Sequence, residues 1–384
     1  MTLQVLPYSY YCSDSHYGCS RPKTARERQK DTRVKAHVMA ALSGGVDSAV
    51  AAFLLKGQGF KVTGVTMCLG VEVNETGKVR CCGPQEIEDA KRVCESLGIS
   101  HYVFDFAPDL KDFVIDPFIS EYGRGRTPNP CIECNRHIKF GSLLRKALAM
   151  GFDYLATGHY AGIQRSNGNC RLIMPKDARK DQTYFLSGMP REALEHVLFP
   201  LSDLVKDEVR EIAQREGLPV SSKPESQDIC FIPEGKTEDY LRKNISSPPG
   251  DIVDRSGKVL GTHRGLAFYT IGQRARVNTS RGKTLYVIAK DTAANRIIIG
   301  ERGQLSAKGL TADSVNLLVD RLPERAFAKI RYAHSPAGCS VSLENGGLTV
   351  LFNEPQEAIT PGQSVALYDK GVVLGSGIIR EVIP

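Results

Sequence analysis

The 384-residue sequence has no apolar run approaching the ~18 residues that a membrane-crossing helix requires, so no such helix is expected. It shows no apolar signal-peptide core, and its eleven cysteines are an odd number in a long chain. That combination argues against a secreted disulfide framework and predicts a cytoplasmic protein with reactive or metal-binding thiols. No second Cys-x-x-Cys and no His-x-x-x-His follows Cys131-Ile-Glu-Cys134, so a complete structural zinc site is absent. The pair alone fits a zinc half-site, a redox pair or coincidence, and the missing partners favour chemistry over a structural staple. Long-period repeats and low-complexity tracts are missing too. Basic excess is scarcer than the net charge of +7 suggests. Residues 1–35 hold seven Lys/Arg against Asp14, Glu27 and Asp31, hence +4, leaving +3 for the remainder. Charge is therefore compatible with an RNA partner and does not establish one.

What is present is a soluble globular composition, 41% hydrophobic and 24% charged, long enough for two or three domains. Residues 1–33, Tyr/Ser-rich and then basic, read as a disordered arm in which Cys12 and Cys19 are incidental. Val38–Leu42 reads as a buried strand, Ser43-Gly44-Gly45-Val46-Asp47-Ser48 as a turn, and Ala49–Leu55 as a helix. Adjacent glycines let a backbone approach a phosphate closely, and the unpaired N–H groups of the next helix carry partial positive charge. Ser43 and Ser48 add hydroxyls, while Asp47 is suited to hold Mg²⁺ or to orient the loop. The Gly-Lys-Ser/Thr ending of the Walker loop is missing.

Strand-helix alternation continues through Phe60–Met67, Gln85–Leu97, Ile99–Phe106, Leu110–Tyr122, Leu144–Met150 and Phe152–Thr157. It implies an α/β domain over residues 34–190, a Rossmann-like parallel sheet with helices on both faces. Ligands of such sheets bind beyond the carboxyl ends of the strands, where residues 43–48, Met67 and Thr157-Gly158-His159 converge. A central region over 191–279 follows, with 190–217 read as helical. Turn signals between short Val/Ile runs then predict an antiparallel β-barrel over 280–384. The helix beginning near Cys134 places a thiol at a helix N-terminus beside Arg136 and Lys139, an environment expected to lower its pKa. Cys68, Cys170 and Cys339 fall in apparent strands as buried small hydrophobes, while Cys81, Cys82 and Cys94 read as loop and helix-packing thiols, with a second redox or metal element at Cys81-Cys82 as the alternative.

The six-residue turn resembles the pyrophosphate loop of ATP pyrophosphatases. Ten ordered stretches then resemble the tRNA-specific 2-thiouridylase family: Ser43–Ser48, Gly125–Pro130, Cys134-Asn135, Ile138–Phe140, Ala156–Tyr160, Lys180–Gln182, Ser226–Ile232, Tyr269–Arg274, Lys329–Tyr332 and Thr360–Ser364. The resemblance implies adenylation of O2 of the wobble uridine by MgATP, followed by sulfur displacing AMP at C2. It implies Cys134 as nucleophile and Cys230 as persulfide carrier, linked transiently by a disulfide. It places ATP at Ala41, Leu42 and Ser43–Ser48; Met67 and Gly158, at the strand ends, are open between adenosine contacts and plain core packing and a turn. Asn129, Pro130 and Cys131 border the target base, and His159, Lys180, Asp181, Gln182, Arg331, Tyr332 and Gln363 match tRNA-contacting positions. The implied partners are the anticodon region of tRNA and a sulfur donor, protein or sulfide, from the cysteine desulfurase pathway. The commoner family pattern has Asp where this chain has Cys131, so Cys131, Cys134 and Cys230 could together ligate a 4Fe–4S cluster. The third cysteine at this spacing favours the cluster over a two-thiol relay. The rival readings are an amide- or nitrile-forming ligase of the same superfamily, for which no glutaminase domain is visible, and a catalytically silent tRNA-binding protein, which the intact phosphate loop opposes.

Overall fold

A computed structural model of the chain describes residues 36–73, 79–81, 84–166, 168–224, 229–232, 235–275 and 284–384. The basic arm with Cys12 and Cys19, Cys82, and Ser226–Asp228 lie outside the described residues. Among those described, no helix is long and apolar enough to cross a membrane.

Five parallel strands form the first sheet, in the order His101–Asp105, Lys61–Cys68, His37–Ala41, Tyr154–Ala156, Val197–Leu198. The order reverses at His37–Ala41, so the crevice beyond the carboxyl ends of that strand and its neighbour Tyr154–Ala156 is the topological switch point. Apolar residues occupy both faces of the central strand, as a sheet covered on both sides requires. Val38, Ala40 and Leu42 face the helices Val46–Gly57, Pro84–Leu97 and Lys206–Arg215. Met39 packs into the other core with Leu110, Val114, Ile138, Phe140 and Leu143. The helix Val46–Gly57 is rich in Ala and Leu, with Asp47 in its first turn and Lys56 in its last, both favourable to the helix dipole.

The expected helix over 190–217 is three elements instead. Arg191–His196 is a 3-10 turn, Val197–Leu198 is the edge strand of the sheet, and only Lys206–Arg215 is α-helical. Pro190 and Pro200 bracket the first part, and neither permits a helix to run through.

Residues 250–300 build a separate five-stranded sheet, ordered Val259–His263, Gly250–Val253, Arg296–Gly300, Leu285–Asp291, Arg274–Ala275. The six strands from Ser306 to Ile383 form an antiparallel barrel, closed by pairing Ser306–Leu317 with Val372–Ile383. The expected barrel start at 280 is thus displaced to Ser306. Strands 285–291 and 296–300 carry the same apolar runs as the barrel but pair with the central sheet, and a 3-10 turn at Arg302–Leu305 separates the two. A hairpin of the first region, Gly162–Ser166 with Asn169–Ile173, joins the barrel sheet through Ile173 opposite Val372.

The short helix Thr183–Leu186 sits where the first region and the barrel share a core. Tyr184 donates to the Ser364 carbonyl at 3.0 Å, and Asn316 Nδ2 donates to the carbonyls of Ser187 and Met189 at 3.0 and 2.9 Å. The loop Arg124–Pro130 is held from two further sides. Thr127 N donates to the Pro361 carbonyl at 3.0 Å, and Gln363 Nε2 donates to the Thr127 carbonyl at 2.8 Å. From the central sheet, Lys290 Nζ donates to the Gly125 carbonyl at 2.9 Å, and Thr270 Oγ1 lies 3.2 Å from Thr127 Oγ1.

Candidate active site

A cavity of about 610 Å³ opens at the switch point, lined by the whole turn 43–48 and by Met67, Gly158, His159, Cys131, Cys134 and Cys230. Ala41, Leu42 and Gln182 line it as well. The turn is shaped by its own hydroxyls: Ser48 Oγ donates to the Gly45 carbonyl at 3.0 Å and accepts from Ser43 N at 3.2 Å. Gly44 adopts φ +70°, and a Cβ there would lie 2.5 Å from the Glu86 carbonyl oxygen. Gly158 follows the neighbouring strand, and a Cβ on it would lie 2.6 Å from Ser48 N. The two carboxyl-end loops thus approach backbone to backbone at the start of the helix Val46–Gly57, the kind of helix N-terminus that suits a phosphate.

Of the two roles open to Asp47, the geometry favours orienting the loop. Lys206 Nζ contacts both its oxygens, at 2.7 and 2.8 Å, and the Tyr160 hydroxyl donates to Oδ1 at 2.9 Å. Sequence reasoning missed Lys206, which lies 159 residues from Asp47. One signal was available: a lysine in the first turn of a helix opposes the helix dipole and calls for a compensating anion.

Asn129 Oδ1 accepts from Cys131 N at 3.1 Å and caps the turn Pro130–Glu133. A π-helical segment, Cys134–Leu143, continues it. Cys134 is therefore one turn inside a continuous helical rod and buried, rather than at an exposed N-terminus. The expected lowering of its pKa is overturned: burial raises it, against the opposing charge of Lys139. Burial also raises the Cys131 thiol, again opposed by Lys139. His159 Nδ1 lies 2.7 Å from Thr157 Oγ1 and Nε2 lies 3.5 Å from Lys139 Nζ. Burial, then the Lys139 charge, hold its pKa well below 6.5, so the ring is neutral at physiological pH. Cys230 is exposed in a turn, whereas the next residue, Phe231, is buried edge-on against Phe118 with centroids 5.5 Å apart.

The fold does bring Cys134 and Cys230, far apart in sequence, to one cavity. It does not gather Cys131, Cys134 and Cys230 as a ligand set: among the described residues no group of three His, Cys, Asp or Glu side chains is placed to hold a metal ion. The residues as arranged do not fit the expected cluster. No disulfide links the described cysteines.

The implied tRNA positions divide. Lys180 is half-buried, and Tyr332 is exposed and stacks on Phe185 at 4.5 Å. Asp181 is buried, with Oδ2 3.5 Å from Lys329 and Oδ1 accepting from Thr183 N and Oγ1. Gln182 Oε1 accepts from Tyr160 N at 2.8 Å. Arg331 donates to the carbonyls of Glu357 and Ala358, and Gln363 to those of Thr127 and Pro128. These inward bonds make Asp181, Gln182, Arg331 and Gln363 structural ties within the free protein.

Thiol environments predict an order of alkylation. Burial drives Cys94 up to about 12 and Cys339 to about 11, whereas Cys230 is exposed. A raised thiol pKa means less thiolate at pH 8, so Cys230 is expected to react with iodoacetamide first and Cys134 slowly, its rate climbing with pH. Cys94 and Cys339 should stay unmodified until the protein unfolds. Peptide mass spectrometry over a time course reads this order, and early labelling of Cys94 would contradict the packing.

Comparison with known proteins supports the same reading. A tRNA methyl transferase HUP domain model matches residues 36–234, a tRNA methyl transferase PRC-barrel model 238–301, and an aminomethyltransferase beta-barrel model 307–379. The tRNA-specific 2-thiouridylase of Syntrophus aciditrophicus is 52% identical over 94% of this chain and 97% of its own length. Those of Moorella thermoacetica and Clostridium botulinum are 47% and 44% identical, over 90% and 91% of this chain and 99% of each relative. A solved 4-thiouridine synthetase–RNA complex with bound ATP aligns at 18% identity and TM-score 0.33, over 55% of this chain and 50% of its own, too loosely to add to the assignment. Near-complete coverage in both directions, across all three structural regions, places this chain in the tRNA-specific 2-thiouridylase family.

Proposed function

We propose that the chain is an ATP-dependent tRNA-uridine 2-sulfurtransferase acting on the wobble uridine. The observation that carries this reading is the shared cavity: the phosphate-type loop 43–48, Cys134 and Cys230 all line it. ATP enters as a substrate, with Mg²⁺ on its phosphates. Uridine O2 attacks the α-phosphorus, pyrophosphate leaves, and C2 gains AMP as a good leaving group, so one hard bond exchange becomes two easier ones. The outer sulfur of a Cys230 persulfide, charged by a sulfur-donor protein, then adds at C2. AMP departs with the electron pair of the C2–O2 bond. The Cys134 thiolate attacks Cys230 Sγ, the persulfide S–S bond breaks, and its electrons leave on the 2-thiouridine sulfur. A Cys134–Cys230 disulfide results, which a dithiol reductant returns to two thiols. Lys139 is the cation that favours the Cys134 thiolate against burial. The neutral His159 beside it offers hydrogen bonding without charge. No step is routed through an iron–sulfur cluster, since among the described residues no three His, Cys, Asp or Glu side chains are placed to hold a metal ion.

With a tRNA transcript, α-labelled MgATP and a persulfide donor, about one AMP is expected per 2-thiouridine formed. Thiouridine without AMP would refute adenylation. Cys131→Ala should retain thiolation to within about tenfold, since a neighbouring thiol has no bond to make in this sequence. Loss of both iron and activity in anaerobically prepared Cys131→Ala protein would overturn the relay in favour of the cluster.

A further inference from the structure

Asp47 sits in the first turn of the helix that would receive polyphosphate, yet a carboxylate there repels the very ligand the loop is shaped to hold. The structure answers this with a buried cation. Lys206 is 5% exposed, and its Nζ spans both Asp47 oxygens at 2.7 and 2.8 Å. The anchorage continues on both sides. The Lys206 backbone N donates to Asp177 Oδ2 at 3.0 Å, which fixes the start of the helix. Tyr160, which donates its hydroxyl to Asp47, is itself fastened through its backbone to Gln182: Tyr160 N to Oε1 at 2.8 Å, and Gln182 N to the Tyr160 carbonyl at 3.0 Å. Asp47 is thereby gripped from two different elements, and each of those elements is gripped in turn.

We propose that Lys206 is a positioning residue for the reaction: paired with Asp47, it neutralises the carboxylate beside the phosphate site and fixes the loop in its ATP-receiving shape, without itself binding ATP. The proposal rests on reading residues 43–48 as the ATP site. Two consequences follow from the charge logic. Removing the cation alone leaves an uncompensated, half-buried anion beside the incoming phosphates, the costly half of a broken buried pair. Removing both charges together leaves a neutral pair of similar volume, which interior packing tolerates much better.

The test is a double-mutant cycle on the full chain, read by calorimetric MgATP binding and by the KM for ATP. Lys206→Met is expected to weaken MgATP binding at least about tenfold, mostly as a rise in KM, with tRNA affinity unchanged. Asp47→Asn/Lys206→Met should recover to within about threefold of Asp47→Asn alone, a strongly non-additive cycle. Lys206→Arg, which keeps the charge, should fall between wild type and Lys206→Met. A Lys206→Met protein that binds MgATP like wild type would overturn the proposal. So would a double variant that binds about tenfold more weakly than Asp47→Asn, because Lys206 would then touch the phosphates directly. Should Lys206→Met not fold, the comparison of the double variant with Asp47→Asn still decides. If wild-type protein itself binds no MgATP, the ATP reading of the loop fails, a result distinct from any outcome of the cycle.

Discussion

Cys134→Ser and Cys230→Ser are each expected to cut 2-thiouridine formation by about three orders of magnitude or more, since each removes a sulfur that forms or breaks a bond. The two variants should nevertheless behave differently. Cys230 is exposed, so its serine variant should melt like wild type, bind MgATP and tRNA normally, and still release pyrophosphate in a tRNA-dependent burst. Adenylated tRNA should accumulate, because the step that consumes it has lost its sulfur. Cys134 is buried in the core that carries Ile138, Phe140 and Leu143, so serine places a hydroxyl among apolar neighbours at a cost of roughly 1–3 kcal/mol. Cys134→Ala separates the two effects, keeping the apolar surface and removing the sulfur. Near-normal thiouridine in Cys230→Ser would end the relay, whatever Cys134 does.

The second large effect belongs to backbone geometry. Gly158→Ala is expected to lower ATP-dependent turnover about a hundredfold, because a shift of about 1 Å at a reacting group is worth that much. A Cβ at 158 would lie 2.6 Å from Ser48 N and 2.7 Å from the Asp47 carbonyl carbon, and both obstacles are main chain that no rotamer change can move. Gly44→Ala meets two penalties at once, a left-handed φ of +70° and a 2.5 Å approach to the Glu86 carbonyl oxygen; strain of this kind costs about 1–3 kcal/mol. Gly45 is the contrast. Its added Cβ would meet nothing nearer than Ser43 Oγ at 3.4 Å, so Gly45→Ala should leave the thermal midpoint of the ATP-free protein unchanged. Equal ATP affinity in wild type and Gly158→Ala, measured calorimetrically, would show that the two loops do not shape the site together.

The sequence carried the first sheet well, because its strands are apolar on both faces and are separated by helices of clear period. The turn 43–48 was legible for the same reason: glycine and hydroxyl residues between a strand and a helix have few structural alternatives. Val197–Leu198 was not, since two residues give no periodicity and only pairing with Tyr154–Ala156 makes them a strand. The Cys134 thiol shows a different limit. Its cationic neighbours are visible in sequence, but burial outweighs them, and burial is a property of the assembled core. Gln363 and Arg331 fall between these cases: family resemblance marks them, while only the coordinates show that their donors are committed to main-chain carbonyls. The Lys206–Asp47 pair was half legible: a lysine in a first helical turn calls for an anion, but nothing local tells that this anion stands 159 residues away.

The grip on Arg124–Pro130 bears on modularity. Catalytic residues usually stand on loops steadied by their own scaffold. Here the peptide leading into Cys131 and Cys134 is braced by Lys290 and Thr270 from one side and by Pro361 and Gln363 from the other. Burial lowers the Lys290 ammonium to about 8, so even this brace loses charge in mildly alkaline solution. Residues 36–234 are therefore not a self-sufficient unit to which the later regions are merely appended. The later regions act as jigs: a shortened chain that kept only residues 36–234 would retain the loop 43–48 but lose the bonds that brace Arg124–Pro130 ahead of Cys131. A substitution in either later region that loosens one of these bonds would therefore be felt at the cysteines of the first, which ties the three regions mechanically to one another.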